Sequence, residues 1–152
     1  MGVNRHACWV VVLLAGLLVG CGGGAPSSPT ETVRRFLAAM DRSAGDARQL
    51  REAYALLDAQ AQGSLRSRAN KAETLTGRTF EPWEMLAQGR FRLRFAPRMR
   101  RGMHETIRGA TAVVAVVGNS GEKAEVPLVR EGGGWRIRLA IPAPGGDDTR
   151  GP

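Results

Sequence analysis

His104-Glu105 is the one place in the chain where an imidazole stands beside a carboxylate. A histidine with a carboxylate performs general acid/base chemistry when both project into one pocket. Neighbours on a strand point to opposite faces, so on a strand these two do not make a dyad. Placed inward, His104 would act alone, or with Asp58 or Tyr54 reaching across from a helix. The plainer reading leaves it solvated at a strand start beside Arg100 and Arg101. Tyr54 falls on an apolar helical stripe. It either aims its hydroxyl into a pocket or sits in the core with that hydroxyl satisfied. Trp83 and Trp135 either line a pocket mouth or anchor the core.

The second cluster is basic. Arg90, Arg92, Arg94, Arg98, Arg100, Arg101 and Arg108 lie within one short stretch whose only acid is Glu105. Guanidinium groups grip phosphates and carboxylates bidentately, so this stretch is a candidate ligand- or partner-binding face. The competing reading is a solvated face in a chain that uses Arg nearly everywhere: 20 of its 22 bases are Arg. Other chemistries are excluded. One histidine in the body of the chain and no acidic cluster of calcium-loop spacing leave no metal set. Gly118-Asn119-Ser120-Gly121-Glu122-Lys123 lacks the glycine spacing and the Lys-Ser/Thr ending of a phosphate loop. No serine stands in a nucleophile elbow. No cofactor is implied.

Helices come first among the elements that must position these residues. Ser28-Pro29-Thr30-Glu31 has the form of a capping box with proline at the first helical position. Val33, Phe36, Leu37 and Met40 follow on one helical face, and Gly45 ends it. Asp46 and Gln49 open a second helix with Leu50, Ala53, Tyr54, Leu57 and Ala61 inward. Gly63-Ser64 is expected to break or bend it. Residues 65–76 continue as helix, with Leu65, Ala69, Ala72 and Leu75 inward, and Gly77 is its expected C-terminal cap. A short helical turn begins at Pro82.

The period then changes to two. Phe91, Leu93 and Phe95 alternate with Arg92 and Arg94, which predicts a strand with one buried face. Residues 103–117 read as one long strand or as two joined at Gly109. Gly118–Gly121 is a hairpin turn. Residues 122–130 form the next strand, where Pro127 suggests an edge or a bulge. After Gly132-Gly133-Gly134, the alternation of Trp135, Ile137, Leu139 and Ile141 gives the last strand. Residues 142–152 are rich in Pro, Gly and Asp and read as a frayed tail. Helices followed by an antiparallel meander define an α+β domain over residues 29–141. With 152 residues, 43% of them hydrophobic and 24% charged, the chain has room for one such domain.

The N-terminus carries an address. A basic start with Arg5 and His6 leads into the apolar run Trp9–Val19, eleven residues long. That is too short to span a bilayer, which takes roughly 20, and it is right for a signal-peptide core. Leu18-Val19-Gly20-Cys21 resembles the lipobox of bacterial lipoproteins. The resemblance implies cleavage after residue 20, diacylglycerol on the Cys21 thiol and acylation of the new amine. Cys8 then leaves with the signal, Cys21 is capped, and no free thiol remains. Removal of residues 1–20 takes one base and no acid, leaving 132 residues and a net charge of +7. Gly22, rather than Asp, follows the cysteine, which favours the periplasmic face of the outer membrane. Residues 21–28 read as a flexible tether. The envelope address removes nucleic acid as a partner. It leaves the membrane itself, anionic envelope ligands and other envelope proteins.

The order of elements resembles the NTF2-like, or cystatin-like, superfamily, and within it a small lipoprotein branch of unassigned function. The resemblance is carried by Thr30-Glu31-Thr32-Val33-Arg34-Arg35-Phe36, by Ala55-Leu56-Leu57-Asp58 and by Val126–Ile137. It implies helices folded onto a curved antiparallel sheet around a cone-shaped core. Enzymes of that superfamily hold an Asp or His in the cone, often helped by Tyr, and no such set is legible here. The expected function is therefore a non-enzymatic envelope lipoprotein that binds a ligand or partner protein through a pocket or an Arg-rich face. The residues concerned would be Arg90, Arg92, Arg94, Arg98, Arg100, Arg101, Tyr54, Trp83 and His104. The alternatives are an accessory or assembly subunit of an envelope complex, and an isomerase or dehydratase using His104.

Overall fold

The computed structural model describes residues 26, 28–88, 91, 93–99 and 101–142. The leader, Cys21, the tether before Pro26, Arg90, Arg92, Arg100 and the tail from residue 143 lie outside the described residues. Of the tail, Pro142 is described, and its carbonyl accepts from Arg68 Nη2 at 2.9 Å. Among the described residues no helix is long and apolar enough to cross a membrane.

Helix α1 (Pro29–Arg42) starts where the sequence places it, with Ser28 Oγ accepting from Glu31 N–H at 3.1 Å. Its buried face is Val33, Phe36, Ala39 and Met40, with Leu37 half-buried beside them. Helix α2 (Ala47–Ala55) is capped by Asp46, which accepts from Arg48 N–H at 2.9 Å. That bond holds the Asp46 carboxyl below its ordinary range.

Helix α3 (Ala59–Thr76) corrects two expectations. The break after α2 falls at residues 56–58, and the helix runs unbroken through Gly63-Ser64. The reason is local and chemical: Asp58 Oδ1 accepts from Ala61 N–H at 2.8 Å and starts a new helix. Gln62 Nε2 meanwhile donates to the carbonyls of Tyr54 and Leu57 past the end of α2. At the far end Gly77, at φ +68°, supplies the left-handed cap. Ala61, Leu65 and Ala69 are buried, but Leu75 is 74% exposed rather than inward, because α3 outruns the core. A 3₁₀ turn (Pro82–Glu84) and α4 (Met85–Gln88) pack against α3.

Four antiparallel strands follow: β1 (Met103–Arg108), β2 (Thr111–Val117), β3 (Lys123–Glu131) and β4 (Gly134–Ile137), ordered β1-β2-β3-β4. The protein is thus α+β. Residues 103–117 are two strands, turning at Gly109-Ala110. The core face carries Ala112, Val114 and Val116 of β2, Leu128 of β3 and Trp135 and Ile137 of β4. Helix α1 lies across this face. Burying a large aliphatic side chain such as Leu57, Leu65, Leu86 or Leu128 contributes roughly 1.5–3 kcal/mol.

Three strand expectations change. Among the described residues, Phe91, Leu93, Arg94 and Phe95 are in no strand. Phe91, Leu93 and Phe95 are half-buried against the core, so the period of two reports burial without a ladder. Pro127 sits in an interior strand without a bulge, opposite Val113. Its carbonyl accepts from Arg138 N–H at 2.8 Å, so its missing N–H faces the chain after β4. The β3–β4 ladder stops there, and Leu139 and Ile141 pack on the core without pairing. Beyond β4 the sheet is closed by residues 56–58: Asp58 N–H donates to Ile137 O at 2.9 Å and Ile137 N–H to Leu56 O at 2.8 Å.

Candidate functional site

The sequence gives α1 one face wider than the sheet can cover, because Leu37 and Ala38 flank the buried Phe36 and Met40 stripe. Residues 91–99 lie along that uncovered margin. Between the two runs a cleft of about 420 Å³, lined by Leu37, Met40, Leu93, Phe95, Pro97 and Met99 among others. Among the described residues, Asp41 and Arg42 are its charged lining residues, and both are exposed. A smaller cavity of about 220 Å³ shares Leu37 and Leu93 with it and continues between Phe36, Phe91 and Val126 onto the sheet. An apolar lining with few polar groups suits a small apolar or amphiphilic molecule.

The segment over the cleft is fastened at one end. Pro97 bridges to Gly118, Arg98 N–H donates to Val117 O at 2.9 Å, and Asn119 N–H donates to Ala96 O at 3.1 Å. Arg98 Nη2 donates to Asn119 O at 2.7 Å. Gly102 is needed in this fastening: a Cβ there would stand 2.8 Å from the carbonyl oxygens of Arg98 and Val117. Arg34 Nε adds a long bond to Met99 O, 3.4 Å, from α1. Phe91, Leu93, Arg94 and Phe95 take no part in these backbone hydrogen bonds.

The residues singled out from the sequence do not converge. His104 is exposed on β1, paired with Ala115 on the sheet's outer face, away from Asp58 and Tyr54. Glu105 projects the other way and accepts from Thr30 N–H at 2.9 Å at the start of α1. Tyr54 is half-buried at the α2–α3 joint, where its hydroxyl donates to Gln62 O at 3.4 Å. Trp83 is half-buried under the Arg51 guanidinium, 4.8 Å from the ring centroid. Trp135 is core, with Arg130 over its ring at 5.9 Å. None of His104, Tyr54 and Trp83 lines the cleft.

The arginine strip is also redistributed. Arg94 and Arg101 are exposed on the irregular segment and Arg98 is spent on fastening it. Without a strand at 91–95, alternation no longer sets these arginines on one face. Among the described residues no group of three or more His, Cys, Asp or Glu could hold a metal ion.

Sequence reasoning missed the cleft because it assigned Phe91, Leu93 and Phe95 to a sheet. Among the described residues the segment pairs only at Pro97, which bridges to Gly118, and nothing in the alternation of residues 91–95 distinguishes burial from pairing. No protein-family model, curated protein or solved structure matches the chain.

Proposed function

We propose that the chain is a lipoprotein of the bacterial cell envelope, anchored through Cys21, with outer-membrane delivery favoured by Gly22. More particularly, its domain is an NTF2-like cone that holds a small apolar or amphiphilic ligand between α1 and residues 91–99, without transforming it. The observation that carries this reading is the apolar cleft of about 420 Å³, whose charged lining among the described residues is the exposed Asp41 and Arg42. The Leu18–Cys21 motif supports the address, and the position of His104 on the outer sheet face leaves catalysis without a group in the cleft.

Native mass spectrometry of the processed chain, gently extracted from envelope, tests the proposal. The expected result is an added mass of a few hundred daltons that disappears in Ala38→Trp, which fills the cleft from α1. A chain carrying nothing overturns ligand capture. A protein-sized addition replaces it with the accessory-subunit reading.

A further inference from the structure

The outer face of the sheet holds a second concavity, of about 410 Å³, whose chemistry differs from that of the cleft. Register explains its composition. Thr106, Val113 and Pro127 are direct cross-strand partners, and Arg138 bonds to Pro127, so the four form one row across the sheet. Arg108 and Thr111 stand in the next row, and Glu125 is the one acid of the lining. Two guanidiniums therefore flank an apolar floor on which Val113 is 37% exposed.

Arg138 is already oriented. Its Nε lies 3.4 Å from Asp58 Oδ2, and Asp58 is buried and fixed as the cap of α3. That leaves the Nη groups of a half-exposed guanidinium to meet an oxyanion end-on. The α1 N-terminus is bonded to Glu105 on the helix-facing side of β1, an edge strand of the sheet, and the eight residues 21–28 extend at most about 26–29 Å, long enough to pass that edge to the outer face. A domain anchored at Cys21 can set β1 and its neighbours against the bilayer.

From these observations we infer that the outer sheet face docks on the membrane that anchors the chain, with Arg108 and Arg138 holding the phosphates of anionic phospholipids. The inference rests on the lipid-anchor reading above but is independent of the cleft. Glu125 opposes the docking and makes it sensitive to charge and salt.

The test uses the processed full chain in vesicles of phosphatidylglycerol and phosphatidylcholine, with an environment-sensitive dye on Val113→Cys and a quencher on the lipid headgroups. Quenching at residue 113 is expected on anionic vesicles and not on purely zwitterionic ones. Removing each arginine by Arg108→Gln or Arg138→Gln should weaken docking roughly fivefold, and Glu125→Gln should strengthen it. Arg101→Gln, which removes a charge outside the concavity, should change it less. The same dye on Leu75→Cys, at the far end of α3, should stay unquenched.

Equal quenching on both vesicles, quenching at residue 75 instead of 113, or indifference to both arginines overturns the inference. So does concentration-dependent burial of residue 113 without lipid, which would mark a contact between two copies. The mass of the processed chain reports lipidation separately, so a failed anchor and a failed docking face are told apart.

Discussion

Two irregular segments, 56–58 and 93–99, both fasten to the sheet, and they are built in opposite ways. The first is buried: Leu57 is inaccessible, Asp58 is 1% exposed, and both its flanks are bonded to Ile137. The second is half-exposed, held by its C-terminal end at Val117–Asn119, and borders a cleft. The contrast teaches that irregular backbone serves rigidity when its polar groups are used up inside, and serves binding when its apolar side chains are left partly uncovered.

The largest effect that would sharpen this contrast is at Leu57. Leu57→Ala should cost about 3 kcal/mol in urea unfolding, since a fully buried leucine leaves a cavity. Asp58→Ala should follow at about 2 kcal/mol, through loss of the α3 cap and a buried hydrogen-bonding group. Asp58→Asn, which can still cap, should recover part of that, and equal losses would show that the ion pair with Arg138 dominates. Beside the second segment Gly102→Ala should cost about 1–2 kcal/mol, because the obstructing atoms are Arg98 Cβ and the carbonyl oxygens of Arg98 and Val117, none of which is the end of a flexible side chain. Leu93→Ala should cost less than about 1 kcal/mol while abolishing the bound mass seen by native mass spectrometry. A loss at Leu93 as large as at Leu57 would break the distinction.

Much of the fold was legible because local rules and burial agreed. Ser28, Asp46 and Gly77 cap as their types require, and the alternation in 111–117 and 134–137 is a true ladder. The errors share one cause. Helix and strand periods report which side chains are buried, not what the backbone bonds to. Phe91, Leu93 and Phe95, like Leu139 and Ile141, alternate because one side faces the core, yet none of the five is in a strand. A carboxylate that can cap is stronger punctuation than a glycine: Asp58, not Gly63, divides α2 from α3. The candidate site was less legible still. Its walls come from segments more than fifty residues apart, Leu37 and Leu93, and nothing near either one announces the other. The chemistry-bearing residues that are conspicuous in the sequence, His104, Tyr54 and Trp83, instead serve the surface, the α2–α3 joint and the 3₁₀ turn.

The bridge between Leu57 and Ile137 also has a kinetic meaning. The sheet is a meander whose neighbours are successive in sequence, so its hairpins close over short loops, whereas this bridge joins residues eighty positions apart. Its loop-closure entropy is met only after both partners are in place. It should form late in folding and open early in unfolding. Weakening it should then speed the unfolding rate while leaving the refolding rate almost untouched.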